Sequence, residues 1–238
     1  MTYLFISDLH LSPEHPRLVR GFLDLLVHYQ NKQTQLYILG DWFNAWIGDD
    51  YSAPWLDEIV EALKVFNQKG NRVYFQVGNR DFALNQVFLD KFNGVLLPDI
   101  YYLNIAGHQY RLEHGDALCT DDISYQKFKK IIRNPFLVAF TPYPLEFPYK
   151  TGQWFSQKKS FRQTAKSYEI MDVNEQAVLS ALTDVDILIH GHTHRPAIHQ
   201  LQHKQRIVLG DWREDQAYIL EIDPSSNTQQ LELIVWNY

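Results

Sequence analysis

The chain has 238 residues and a formal net charge of −6 at pH 7, and 45% of its residues are hydrophobic and 21% charged. This balance is typical of a folded globular protein, and the negative charge argues against a nucleic-acid footprint spread over the whole surface. The single cysteine, Cys119, excludes an intramolecular disulfide and a cysteine-rich zinc site.

Short apolar runs alternate with helical patterns, which predicts an α/β fold. In chain order we expect strands at residues 3–6, 36–39, 72–77, 110–112, 187–189 and 207–209, and amphipathic helices at residues 17–29 and 54–67. The run Asp-Pro-Ser-Ser-Asn separates two further strands, at residues 217–222 and 231–236, and indicates an antiparallel turn. The length predicts one domain, residues 1–238, with an insertion at residues 120–170.

Side chains that commonly bind metal ions follow five of these strands. They are Asp8 and His10 after the first, Asp41 after the second, Asn79 after the third, His114 after the fourth, and His192 and His194 after the fifth. Ligands bind beyond the carboxyl ends of strands in α/β sheets, so the five loops should converge on one site. The other histidines lack ligand-like neighbours and are expected to be structural or solvent-exposed, with His190 at a strand end.

Seven ligands are too many for one metal ion, so we expect two. Carboxylate, amide and imidazole groups without thiolate suit Mn²⁺, Fe²⁺, Co²⁺ or Zn²⁺, and we expect Mn²⁺. Two ions about 3.5–4 Å apart need a shared ligand, for which the carboxylate of Asp41 is the best candidate. A water molecule between two such ions is acidified enough to attack phosphorus at neutral pH.

The blocks Asp-Leu-His at residues 8–10, Gly-Asp at 40–41, Gly-Asn-Arg-Asp at 78–81, His-Gly-Asp at 114–116 and Gly-His-Thr-His at 191–194 resemble the calcineurin-like metallophosphoesterase superfamily. The resemblance implies an αββα sandwich, in which two β-sheets are flanked by helices, with a helical cap at residues 120–170. It also assigns the ligands: Asp8, His10, Asp41 and His194 to one metal ion, and Asp41, Asn79, His114 and His192 to the other.

Arg80 follows the expected ligand Asn79 and can contact a phosphoryl oxygen with its planar fork of donors. The alternative is a salt bridge from Arg80 to Asp81. Asp81 and Asp116 are otherwise expected to orient neighbouring ligands. We therefore expect a catalytic set comprising Asp41, Asn79, Arg80, His114 and His192, of which Asn79, Arg80 and His192 also contact the substrate.

Longer strings carry a narrower resemblance. Residues 40–50 (GDWFNAWIGDD), 118–122 (LCTDD), 170–174 (IMDVN) and 190–196 (HGHTHRP) are similar to the UDP-2,3-diacylglucosamine hydrolases of Gram-negative lipid A biosynthesis. The resemblance implies attack of water on the α-phosphorus of UDP-2,3-diacylglucosamine, giving UMP and 2,3-diacylglucosamine 1-phosphate (lipid X). It also implies substrate contacts from Asp122, Ser160, Thr164 and Lys166, where a one-residue shift would instead select Lys159 and Gln163.

The insertion itself favours a lipid substrate. Residues 124–168 contain nine Lys and Arg against one acidic residue, together with eleven aromatic residues. Apolar side chains can line an acyl-chain cleft while the cations face phosphates or anionic headgroups. The alternatives are a purely structural cap and a surface for single-stranded nucleic acid.

Two other functions stay open: a different dinuclear phosphoesterase acting on a nucleotide or cyclic nucleotide, and a non-catalytic binding module on the same fold. All seven ligand positions being filled argues against the module. The sequence has no apolar run of about 18 residues and no signal-like N-terminal segment. We therefore expect a cytoplasmic enzyme, peripheral on the inner face of the inner membrane, without nucleic acid or an obligate protein partner.

Overall fold

The computed structural model of the chain describes residues 1–46, 48–123, 126, 172–225 and 231–238. Most of the expected lid at residues 120–170 lies outside these ranges, as do the expected substrate contacts Ser160, Thr164 and Lys166 and the alternatives Lys159 and Gln163.

The described chain contains eleven strands. They are β1 (Thr2–Ile6), β2 (Thr34–Leu39), β3 (Arg72–Gln76), β4 (Val95–Leu96), β5 (Tyr101–Ile105), β6 (His108–Leu112), β7 (Ile187–His190), β8 (Ala197–Leu201), β9 (Lys204–Val208), β10 (Gln216–Ile222) and β11 (Leu233–Asn237). The helices are α1 (Pro16–Tyr29), α2 (Pro54–Gln68), α3 (Gln86–Leu89) and α4 (Glu175–Ala181), with short 3₁₀ turns at Asp90–Phe92 and Asp116–Leu118. No helix in these ranges combines the length and apolar character that a membrane span needs.

The strands form two sheets. The first has the order β11-β10-β1-β2-β3-β4, and the second has the order β5-β6-β7-β9-β8. β1, β2 and β3 run parallel in the first sheet, and β6, β7 and β9 run parallel in the second. Each sheet therefore has one edge at which several carboxyl ends meet, and the loops that leave these ends carry the expected ligands.

The buried hydrophobic residues form three clusters, because successive side chains of a strand point to opposite faces of its sheet. Tyr3 and Phe5 of β1 point into a cluster that lies between the sheets, whereas Leu4 and Ile6 point to the opposite face. That outer face packs on the apolar sides of α1 and α2. A smaller cluster joins α4 to Leu188 of β7 on the outer face of the second sheet. The period of two in the strands thus builds the αββα sandwich that the superfamily resemblance implies.

The predicted strands and helices are all present, with boundaries that differ by up to three residues. β4, β5, β8, α3 and α4 were not predicted from the sequence. β5 lies at a sheet edge with alternate residues exposed, and β8 is mostly exposed, so neither has the apolar run that identified the buried strands. α3 and α4 span four and seven residues, too few to show a helical period.

Candidate metal centre

Loops from both sheets meet at one end of the sandwich and are joined there by main-chain hydrogen bonds. The N–H of Asp8 donates to Gly40 O at 3.1 Å, and the N–H of His10 donates to Asp41 O at 3.0 Å. In the second sheet the N–H of Gly191 donates to His114 O at 2.9 Å. The loops are therefore fixed relative to one another through the backbone.

The first group of ligand atoms comes from Asp8, His10 and His194, which lie within 4.8 Å of one another. His194 Nε2 is 3.2 Å from Asp8 Oδ1 and 3.4 Å from His10 Nε2. Three donor atoms from two different sheets thus face one small volume, as the ligands of one ion do.

The second group lies beside the first. Asn79 Oδ1 is 3.1 Å from His114 Nε2 and 3.0 Å from His192 Nδ1. His114 also forms a close set with Asp41 and Asp8. The structure therefore brings together all seven side chains that the sequence singled out.

Asp41 lies between the two groups. Its Oδ1 is 3.8 Å from His114 Nε2, and its Oδ2 is 4.0 Å from His10 Nδ1. Asp8 also borders both groups, but its Oδ2 already accepts hydrogen bonds from Ser7 Oγ at 2.7 Å and the His192 N–H at 2.9 Å. Asp41 Oδ1 likewise accepts from the Arg80 N–H at 2.9 Å, so it is the position of Asp41, with one oxygen toward each group, that supports its expected bridging role.

Two polar atoms indicate that the donor set fits cations. His10 Nδ1 is buried and has no hydrogen-bond partner among the described residues, and Asp8 Oδ1 is buried with another potential ligand atom, His194 Nε2, 3.2 Å away. Buried polar atoms without partners cost free energy, so such atoms in a cluster of potential ligands are consistent with metal binding. The donor set, carboxylate, amide and imidazole, suits two divalent ions of the kind inferred above.

Two glycines make room for the ligands. A Cβ on Gly78 would lie 2.2 Å from Asp41 Oδ1, and a Cβ on Gly191 would lie 2.3 Å from Asp8 Oδ2. Both distances are shorter than any van der Waals contact. The backbone of the opposite loop therefore packs directly against each carboxylate.

The ligand backbone is held in an uncommon conformation. Five expected ligands have positive φ: Asp8, His10, Asp41, His192 and His194, with values from 51° to 70°. Left-handed backbone is unfavourable for residues with a Cβ and persists only where the surrounding structure imposes it. The hydrogen bonds between the loops supply that constraint.

Burial and charge set the protonation of the histidines. Burial lowers the pKa of His10 and of His192 to about 4, so both imidazoles are neutral at pH 7 and can offer lone pairs. For His114, burial acts in the same direction, but the carboxylates of Asp41 and Asp8 outweigh it and raise the pKa to about 9. The centre thus favours positive charge next to these carboxylates, as a cation site does.

Asp81 fixes the loop that carries Asp41. Its Oδ2 accepts from the Trp42 N–H at 2.7 Å, and its Oδ1 accepts from the Gly78 N–H at 2.7 Å, with longer contacts from the N–H groups of Asp41 and Phe43. Burial and the Asp41 carboxylate raise the pKa of Asp81 to about 7, while the N–H donors oppose that rise. Four converging donors favour the ionised carboxylate.

Arg80 lies at the mouth of the centre. Its side chain is 38% exposed, and its Nε is 3.7 Å from Asp41 Oδ2. Its Nη1 donates to Asn44 Oδ1 at 3.0 Å. The alternative expected from the sequence, a salt bridge from Arg80 to Asp81, is not among the described contacts of Arg80. The Asp81 carboxylate instead accepts hydrogen bonds from backbone N–H groups. The guanidinium therefore faces the site.

Sequence reasoning did not identify Ser7, Asn44 or Asp211, which contact Asp8, Arg80 and His194 respectively. Ser7 directly precedes a ligand, which is a signal that could have been used. Nothing in the local sequence links the other two residues to their partners.

The remaining residues of interest lie around this centre. His190 is fully buried at the end of β7, and its Nδ1 is 2.9 Å from Gly191 O. Burial raises the pKa of the Cys119 thiol to about 12, so the thiol stays protonated at neutral pH. Asp122, an expected substrate contact, lies in the described start of the expected lid, where its main-chain carbonyl accepts from the Gln126 N–H at 3.0 Å.

Comparison with known proteins identifies relatives that match about nine tenths of the chain. The sequence model of the calcineurin-like phosphoesterase family matches residues 1–196. A UDP-2,3-diacylglucosamine hydrolase of Haemophilus influenzae (strain PittGG) is 40% identical over 224 residues, which cover 93% of this chain and 94% of that protein. The hydrolase of the same name from Pseudomonas putida is 42% identical over 227 residues, covering 92% and 94%. That of Yersinia pseudotuberculosis serotype O:1b is 42% identical over 219 residues, covering 89% and 91%.

Among solved structures, a novel archaeal phosphodiesterase shares 14% sequence identity with the chain, with a TM-score of 0.50 over 99% of each chain. At this identity the likeness bears on the fold alone, and it agrees with the two-sheet sandwich described above.

Proposed function

The chain belongs to the calcineurin-like phosphoesterase family, and on that premise we propose that it hydrolyses UDP-2,3-diacylglucosamine in lipid A biosynthesis. Water attacks the α-phosphorus, and the products are UMP and 2,3-diacylglucosamine 1-phosphate (lipid X). The observation that carries the reaction class is the pair of donor groups on either side of the Asp41 carboxylate. The hydrolases that are 40–42% identical over about nine tenths of the chain support the substrate.

The family implies divalent metal ions, and the proposed ligands are divided between two of them. Asp8, His10, Asp41 and His194 would hold one ion, and Asp41, Asn79, His114 and His192 would hold the other. We propose Mn²⁺ because the donor set offers oxygen and imidazole but no thiolate. When bound, such ions supply Lewis acidity to phosphoryl oxygens and acidify water.

The groups of the chain itself bind and orient the substrate. Arg80 is held by Asn44 through Nη1 and lies beside Asp41 through Nε, and its side chain is 38% exposed, so it keeps further donors available for a phosphate. Charge develops on the α-phosphoryl oxygens during attack, and a guanidinium held in advance stabilises that charge without reorganising. Asn79 and His192 border the same space, and Asp122 is the further proposed contact to the headgroup.

The lid segment supplies the contacts for the lipid part. Its nine cations and eleven aromatic residues suit a diacylated anionic substrate, with Lys166, Ser160 and Thr164 as headgroup contacts. The same composition supports peripheral binding to an anionic membrane surface on its cytoplasmic side. Binding of the protein to vesicles with and without anionic lipid, measured by co-sedimentation, tests this step, and equal binding to both would contradict it.

The reaction is tested by product analysis in ¹⁸O-labelled water with UDP-2,3-diacylglucosamine and Mn²⁺. We expect the label in UMP, because the attacked α-phosphorus stays with uridine. Label in lipid X would place the β-phosphate at the centre and refute the proposed orientation. Hydrolysis of cyclic or simple nucleotides, with none of the lipid substrate, would instead support the alternative of another dinuclear phosphoesterase.

The proposed role of Arg80 is tested by a double-mutant cycle with Asn44. Arg80→Ala should lower kcat by roughly 10²-fold or more, as the removal of comparable electrostatic groups does. Asn44→Ala should lower kcat less, and it should have no further effect in the Arg80→Ala background, since it acts through Arg80. Additive losses would show that Asn44 acts independently, and a changed metal content would show that either variant disturbs the ligands.

The proposed metal is tested by removal and replacement. Chelation should abolish activity, and Mn²⁺ should restore it better than Zn²⁺, Co²⁺ or Mg²⁺. Full activity in excess chelator, with no metal detected by elemental analysis, would contradict the two-metal centre.

A further inference from the structure

We infer that Asp211 is a positioning residue for His194. The Asp211 carboxylate stabilises the form of the His194 imidazole that is protonated at Nδ1, and this leaves the Nε2 lone pair facing Asp8 and His10. The inference rests on the proposed metal centre and extends it to a loop that contains none of the seven ligands.

The two nitrogens of His194 face different surroundings. Nε2 is 3.2 Å from Asp8 Oδ1 and 3.4 Å from His10 Nε2, so it is the nitrogen that belongs to the first donor group. Nδ1 lies 3.9 Å from Asp211 Oδ2. A ligand imidazole must carry its proton on the nitrogen that does not bind the ion, and a carboxylate on that side selects this form.

The Asp211 carboxylate is free to make this contact. Its Oδ1 is buried and has no hydrogen-bond partner in the described part of the chain, and the side chain is 21% exposed. The distance of 3.9 Å from His194 Nδ1 to Asp211 Oδ2 is about 1 Å longer than an N–H···O hydrogen bond, so in this conformation the contact is electrostatic. Arg213 Nε, 3.6 Å from Oδ2, pairs with the same group from the solvent side.

The backbone of Asp211 is held against the centre from both sides. The N–H of Leu209 donates to His190 O at 2.7 Å, and the N–H of Trp212 donates to Asp8 O at 3.2 Å. Trp212 is buried, and its ring packs on Phe22 of α1 at 6.3 Å between ring centroids. The loop after β9 is thus anchored to the Asp8 and His190 segments, and it cannot move without moving them.

A role limited to an ion pair with Arg213 is the competing explanation. Arg213 is 58% exposed, and such surface pairs contribute little to stability. Removal of Asp211 would then leave metal binding unchanged. The two explanations therefore differ in a quantity that can be measured without any assay of activity.

The test compares Asp211→Ala and Asp211→Asn with Asp215→Asn, which removes the same charge from an exposed position in the same loop. Mn²⁺ binding to chelator-treated protein is followed by the electron paramagnetic resonance signal of the free ion. We expect the larger of the two Mn²⁺ dissociation constants to rise about 10- to 100-fold in Asp211→Ala. The rise should be smaller in Asp211→Asn, which keeps an acceptor oxygen, and the control should show no rise.

Long-range ¹H–¹⁵N spectra of the Zn²⁺-loaded protein provide the second readout. His194 should be protonated at Nδ1 in the wild type, with a slowly exchanging proton that broadens or disappears in Asp211→Ala. Unchanged Mn²⁺ affinity and an unchanged His194 signal in both Asp211 variants would refute the inference, as would an equal loss in the control. A wild-type chain that takes up no Mn²⁺ would instead refute the metal centre itself, which separates the two failures.

Discussion

Asp81 offers a stability prediction that can be worked out from the structure. It is fully buried, and its two oxygens accept hydrogen bonds from four N–H groups of two loops, those of Gly78, Asp41, Trp42 and Phe43. Replacement by alanine leaves these donors without partners. Replacement by asparagine keeps one acceptor oxygen and turns an NH₂ group toward the two donors that faced the other oxygen.

The magnitude follows from the two short contacts, each 2.7 Å, to the N–H groups of Gly78 and Trp42. A hydrogen bond to a charged group contributes roughly 1.5–3 kcal/mol, and an unsatisfied buried donor costs about 1–3 kcal/mol. Asp81→Ala should therefore lower the free energy of unfolding by about 4 kcal/mol, and Asp81→Asn by about 2 kcal/mol. Neutralising Asp81 also relieves its repulsion with Asp41, so the loss should be smaller in the metal-free protein than in the Mn²⁺-loaded protein.

Urea unfolding followed by tryptophan fluorescence measures this, with and without Mn²⁺. Asp24→Asn, at an exposed position on α1, is the matched control and should change the unfolding free energy by less than about 0.5 kcal/mol. If Asp81→Asn is as stable as the wild type both without metal and with Mn²⁺, the reasoning is refuted. Such a result would mean that the four N–H donors do not need two acceptor oxygens at residue 81.

Three further predictions concern the centre and the lid. Asp41→Ala should lose more activity than His10→Ala, because it removes the carboxylate between the two donor groups; equal, mild losses on steady-state assay would mean that Asp41 is not the bridge. Gly78→Ala should weaken Mn²⁺ binding at least about 10-fold by isothermal titration, since its methyl group would lie 2.2 Å from Asp41 Oδ1, and unchanged affinity would show that the loop adjusts freely. Polar replacements of Phe136 and Phe140, in the expected lid segment, should raise KM for the diacylated substrate and leave the metal content intact. Binding that is lost equally from the substrate and the transition state appears in KM. An unchanged KM would contradict the hypothesis that the lid lines a cleft for the acyl chains.

The sequence pattern predicted an α/β fold and the convergence of the candidate ligands, and the family resemblance implied the two-sheet sandwich. Buried strands such as β1 and β2 have continuous apolar runs, and each ends directly before a polar motif, so their carboxyl ends could be located. The general rule that ligands bind at such ends then placed Asp8 and Asp41 side by side. The division of ligands between two ions did not follow from spacing and came only from the family resemblance.

The supporting contacts could not be predicted, because they depend on loop geometry. Asn44 and Arg80 are 36 residues apart and meet only because their loops leave neighbouring strands β2 and β3. Asp211 was not identified from the sequence, because its proximity to His194 depends on the anchored backbone after β9. β8 is mostly exposed and α3 spans only four residues, so neither shows a periodic signal, although Phe88 and Leu89 of α3 are buried in the core.

The conformation of the ligand loops connects stability to function. Five expected ligands have positive φ. In addition, three carboxylates of the ligand loops, those of Asp8, Asp41 and Asp81, are buried. Both features disfavour the folded state, since left-handed backbone and buried like charges each cost free energy. Cations that bind only the folded chain offset these costs by mass action, by about 2.7 kcal/mol at a concentration 100 times the dissociation constant. The proposed centre should therefore lower the free energy of unfolding of the metal-free protein, and metal binding should raise it again. The stability of the protein should thus depend on the same ions as its activity.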